Sequence, residues 1–189
     1  MPRPKLHSDD TILDAARDAM LRSGPSHFTL SEVASAVGIS RAALIQRFKD
    51  RDTLHLRVLE KMTAEVRVYF AEANRDVGLG PLWAMLKDLI SGMGSGEGTE
   101  GYLLLYHEDV RVPARLRLAQ ERNELVRNAI RDRLPRTPHD PERTASLVQA
   151  MIQGACMQWL IDREGDLSAF MVAQTRLLLE QLYPDFRFE

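Results

Sequence analysis

The chain has 189 residues, 44% hydrophobic and 28% charged, with a formal net charge of −2; this is the balance of an ordinary globular protein and excludes a fibre, a disordered tail or an overall basic protein. A single cysteine, Cys156, cannot close an intramolecular disulfide or anchor a structural zinc, so no metal or cofactor is expected and a reducing cytoplasm is the expected compartment. No segment approaches the roughly 20 apolar residues needed to cross a bilayer, and the polar start of the chain does not read as a signal peptide, so no membrane partner is expected.

Spacings of three and four between apolar residues, in a chain rich in Ala, Leu, Arg, Glu and Gln, predict an all-α fold. Ser8 or Asp9 can cap a first helix whose inner face is Ile12, Ala15, Ala16, Ala19 and Met20, and Gly24-Pro25 stops it. Two short helices follow, over about 31–37 and from Ser40 to about residue 48, with Gly38 as the turn between them. From Arg51, the fourfold row Leu54, Val58, Met62, Val66 and Phe70 predicts one helix of about 24 residues, roughly 36 Å long. Gly78, Gly80 and Pro81 interrupt the pattern, and Leu82, Trp83, Leu86, Leu89 and Ile90 resume it. Residues 92–101 read as a loop. Further helices are expected over 102–107, 112–134, 140–163 and 167–182, with the prolines of 135–141 separating two of them.

The two short helices carry the informative pattern. Val33, Ala34, Val37, Ile39, Leu44 and Phe48 can share one inner face, and Ala34 is small enough for the helices to cross closely. This is a helix-turn-helix pattern. Its second helix would turn Arg41, Ala42, Gln46 and Arg47 outward, a set able to reach base edges and phosphates in a major groove. Residues 39–51 hold four basic residues and one acidic, a local charge of +3 on an acidic protein. Thr29, Ser31 and Ser40 stand at helix starts, where hydroxyls and free N–H groups also suit a phosphate, and Lys49 and Arg51 add charge. Arg3 and Lys5 could extend these contacts from an arm.

The row Ile12-Leu-Asp-Ala-Ala16, Gly24, Phe28-Thr29, Val33-Ala34, Gly38-Ile39-Ser40, Leu44, Phe48 and Arg51-Asp52-x-Leu54 resembles the tetracycline-repressor (TetR) family of bacterial transcription regulators. The resemblance covers about a quarter of the chain. It implies a three-helix DNA-binding head, an all-α ligand-binding body and homodimerisation through the last two long helices. Ile45 stands where the family usually has tyrosine, and Ala42-Ala43 where it often has glycine-threonine, so a phosphate contact drops out of the expectation. Arg51 replaces a usual lysine with its charge retained.

The expected organisation is therefore a helix-turn-helix head over 1–52 and a helical-bundle ligand-binding and dimerisation body over 53–189. Ligand candidates in the body are Trp83, Tyr102, Tyr106, His107, Met151, Gln158 and Trp159, aromatic and soft side chains with a few polar ends that would suit a small, mainly apolar molecule. Each could equally be core. Dimer candidates are Val148, Met151, Ala155, Trp159, Phe170, Leu177 and Leu178, with Gly154-Ala155 allowing a close crossing. The expected partners are double-stranded DNA with a palindromic operator, such a ligand, and a second copy of the chain.

An enzyme is not expected. His7, His27, His55, His107 and His139 are scattered, and His107-Glu108-Asp109 are consecutive, about 100° apart on a helix, so they cannot face one metal. The glycine-rich residues 91–98 lack the following lysine and preceding strand of a phosphate loop. Cys156 lies among apolar neighbours, where a thiol is inert. The alternative kept open is a helical interaction module whose head has lost specific DNA binding.

Overall fold

The computed structural model describes residues 8–96 and 99–189, and the expected contacts of Arg3 and Lys5 lie outside them. Among the described residues there are nine helices and no strand: α1 (Asp9–Ser23), α2 (Leu30–Ala36), α3 (Arg41–Phe48), α4 (Arg51–Glu72), α5 (Leu79–Ser91), α6 (Thr99–Asp109), α7 (Pro113–Arg133), α8 (Pro141–Asp162) and α9 (Leu167–Leu182). Side-chain caps set many of the starts. Ser8, Thr29, Ser40, Asp140 and Asp166 each accept an N–H that the first turn would leave unpaired.

The chain forms two compact units. The first comprises the described residues of Met1–Val66 and Gly98–Glu121. Its core joins Ile12, Ala16 and Met20 of α1 to Phe28, Val33, Leu44, Leu54 and Val58, and Leu105 of α6 completes it. α6 begins at Thr99, so the loop expected over 92–101 ends earlier than its glycines suggest. Gly101 lies inside α6 against the backbone of Leu21 in α1, where any side chain would collide.

The second unit comprises the described residues of Arg67–Glu97 and Arg122–Glu189. Leu82, Leu86 and Ile90 of α5, Ile130 of α7, Val148 of α8 and Leu167, Met171 and Leu179 of α9 form its core. Phe188 is fully buried and meets Trp83 edge-on at 5.8 Å. The fourfold row of α4 does not make one stripe. A step of four overshoots the 3.6-residue turn by about 40°, so Leu54 and Val58 serve the first core and Phe70 the second. No helix is long and apolar enough to cross a membrane among the described residues.

Candidate nucleic-acid interface

The head is built from the inside outward. Leu44 and Phe48 bury the inner face of α3 against Val33 and Ala34 of α2 and the apolar side of α1. The turn is fixed by the Ile39 N–H donating to the Ala34 carbonyl at 2.9 Å, with Gly38 at a φ of 68°, where a Cβ would be strained. Thr29 Oγ1 accepts from the Glu32 N–H, and Ser40 Oγ from the Ala43 N–H, both at 3.1 Å. The cap roles of both residues are therefore in place.

With Leu44 and Phe48 inward, Arg41, Ala42 and Gln46 are exposed, Ala42 and Gln46 one turn apart. Ser31 and Lys49 are exposed as well. Arg47 is half-buried, its guanidinium 3.6 Å from the Asp9 carboxylate of α1. Arg51 turns back on its own unit: Nη1 donates to the Ser26 carbonyl at 2.8 Å and the guanidinium stands 5.9 Å over the Phe28 ring. Ile45 is half-buried. The lone acidic residue of this segment, Asp50, accepts from the Thr53 N–H at 2.7 Å and so caps α4. That bond holds its carboxyl below the usual range, and it stays ionised.

Sequence reasoning missed how firmly α6 and the start of α7 are fastened within this unit. Ser26 Oγ donates to the Glu108 carboxylate, and Arg115 donates to Asp52 at 3.1 Å. His55 and Asp109, both fully buried, stand 3.5 Å apart. No local pattern announces these pairs, because each joins residues more than 50 positions apart.

The ligand candidates fall in both units. Trp83 and Trp159 are core side chains of the second, and each indole N–H is satisfied by backbone, Trp83 by the Glu189 carbonyl at 2.7 Å and Trp159 by that of Glu164 at 3.2 Å. Met151 is half-buried and Gln158 exposed on α8. Tyr102, Tyr106 and His107 are exposed on α6 and belong to the first unit. A cleft of about 430 Å³ in the second unit is lined by Tyr69, Glu72, Ala73, Asn74, Pro81, Ala84, Met85 and Asp88, none of which was a candidate. Cys156 is half-buried, and burial pushes its thiol pKa up.

On α8, Val148, Ala155 and Trp159 face the unit's own core. The exposed row is Leu147, Ala150, Gly154, Met157 and Ile161, alternating steps of three and four. On α9, Leu177 is exposed, and Phe170 and Leu178 are half-buried.

Residues 12–58 match the family model described as bacterial regulatory proteins, tetR family. No curated protein matches the sequence. Solved structures share the fold over almost the whole chain. A transcriptional regulator from Rhodococcus sp. Rha1 is 17% identical with a TM-score of 0.73, over 93% of this chain and 97% of its own. SmeT, the repressor of a Stenotrophomonas maltophilia multidrug efflux pump, is 16% identical with a TM-score of 0.69, over 93% and 90%. A candidate regulator from Saccharomonospora viridis, solved with choline, is 18% identical with a TM-score of 0.75, over 90% and 94%. Residues 12–58 thus match the tetR family of bacterial regulatory proteins, as the sequence resemblance implied, and the chain shares the helical fold of solved structures described as TetR-family transcriptional regulators.

Proposed function

We propose that the protein is a cytoplasmic DNA-binding transcriptional regulator, a ligand-responsive repressor that binds a palindromic operator as a homodimer. The observation that carries this reading is the exposed Arg41, Ala42 and Gln46 face of a capped α3, held on a buried helix-turn-helix core inside a tetR-family segment. Arg41, Ala42 and Gln46 are assigned to base edges. Thr29, Ser31, Ser40, Arg47 and Lys49 are assigned to the phosphates, with Arg51 steadying the head as well. In functional terms residues 1–52 bind DNA and 53–189 carry ligand binding and dimerisation.

The exposed Leu147, Ala150, Gly154, Met157 and Ile161 row of α8, with Leu177 of α9 and the flanking Met151, Phe170 and Leu178, is the apolar surface that a second copy would cover. Two recognition helices then enter major grooves about 34–36 Å apart. A ligand that shifts α4 changes that separation and so the affinity. That SmeT is a repressor and that the Saccharomonospora protein was solved with choline favour a repressor with a small-molecule effector.

Selection of bound duplexes from a random pool tests the reading. An enriched inverted repeat bound by a dimer supports it. Binding of every duplex equally, or of none, favours the helical interaction module, for which the loss of the usual tyrosine at Ile45 is the one argument.

A further inference from the structure

The cleft between the last turns of α4 and the helix α5 is used by neither the DNA face nor the dimer surface. Its floor is the buried thioether of Met85, with Pro81 and the methyls of Ala73 and Ala84 as walls. Its polar lining is the Tyr69 phenol, the Asn74 carboxamide and the carboxylates of Glu72 and Asp88; no lysine or arginine lines it. Tyr69 Oη donates to Asp88 Oδ2 at 2.5 Å. Burial and this bond keep the phenol protonated to a pKa of about 12, so it remains a donor and Asp88 keeps its other oxygen for a guest. The Asn74 carboxamide is occupied by Asp76, through bonds of 2.9 Å to its carboxylate and from its N–H. The nearby cations hydrogen-bond to backbone, Arg133 to the Ala129 and Asn74 carbonyls and Arg75 to that of Ala71; the Arg133 charge reaches Tyr69, where it opposes but does not outweigh the effect of burial and of Asp88.

The cleft thus joins two carboxylates to an aromatic wall and an apolar floor, in a volume of about 430 Å³ suited to a small molecule. An anion would meet like charge from the two carboxylates, and a neutral apolar guest would make no use of Glu72 and Asp88, both of them solvent-exposed and open to a cationic partner. A divalent ion takes six or more oxygen ligands, and the apolar floor offers none. We infer that this cleft binds a small organic ammonium ion, with Glu72 and Asp88 holding the charged end and Tyr69 and Met85 packing on the apolar part. As an effector site it rests on the regulatory reading; as a binding site it does not.

The test is calorimetric titration of the full chain, without DNA, with 2-phenylethylammonium and with the neutral 2-phenylethanol. The expected result is binding of the ammonium ion at least about tenfold tighter than the alcohol. Glu72→Gln with Asp88→Asn should remove that preference. Ala84→Trp, at an exposed wall position, should block both guests, with helicity checked by circular dichroism. Equal affinity for the two compounds, no binding of the ammonium ion up to about 10 mM, or binding indifferent to both variants overturns the inference. None of these results bears on DNA binding, and a failure of DNA binding would leave the titration unchanged.

Discussion

Gly101 of α6 lies so close to Leu21 of α1 that a Cβ on it would stand 2.6 Å from the Leu21 Cα. Two helices reach this separation only where one lacks a side chain. Gly101→Ala must push α6 away from α1, and Leu105, one turn on, would be drawn from the core it shares with Ile12 and Met20. The expected cost is about 2–3 kcal/mol in urea unfolding. Unchanged stability would mean that α1 and α6 do not cross in this way.

Gly154 makes the opposite case. A Cβ there meets nothing within 4 Å, on the exposed side of α8. Gly154→Ala should keep the fold and gain up to about 1 kcal/mol from helix propensity. Gly154→Arg places a charge in the middle of the apolar row and, if the proposed homodimer forms through that row, should yield a monomer by light scattering. A dimer that survives Gly154→Arg is held by another surface.

His55 and Asp109 face each other at 3.5 Å, each 2% exposed. His55→Leu and Asp109→Leu each remove this contact from the buried interior, and each should cost about 3 kcal/mol. The double variant should cost less than the two singles together, as a double-mutant cycle would show. Simple additivity would mean that the two side chains do not interact.

Burial, followed by the hydrogen bond to Asp88, raises the Tyr69 pKa to about 12. A pKa raised in the folded state gives stability that is complete below the unfolded value near 10 and is lost as pH climbs toward 12. In a difference titration at 295 nm against Tyr69→Phe, Tyr69 should ionise near pH 12, and Asp88→Asn should lower that value. Ionisation of Tyr69 at the ordinary tyrosine pH would show that it is neither buried nor bonded to Asp88.

Much of this fold is legible in the sequence, because its helix ends are written in local chemistry. Ser8, Thr29, Ser40 and Asp140 cap the helices they precede, and the inner face of the helix-turn-helix follows from Val33, Ala34, Leu44 and Phe48. Gly101 was hidden for a physical reason. A glycine among glycines reads as loop, and its need to be small comes from Leu21, 80 positions earlier. The orientation of α8 was hidden too. Apolar residues lie nearly all round it, so periodicity does not say that Val148, Ala155 and Trp159 turn inward and Leu147, Met157 and Ile161 outward. The cleft at Tyr69 and Asp88 comes from single polar residues on two helices, a juxtaposition that only folding creates.

The most direct test of the central claim, that the exposed face of α3 reads DNA sequence, is the affinity of Arg41→Ala and Gln46→Ala for the selected operator and for a scrambled duplex at one salt concentration. Each substitution should cost about 1–3 kcal/mol on the operator and relax preference at particular base pairs, with little change on scrambled DNA. Lys49→Ala should weaken both duplexes alike and reduce the salt dependence. Operator affinity and sequence preference unchanged in both Arg41→Ala and Gln46→Ala would contradict the account.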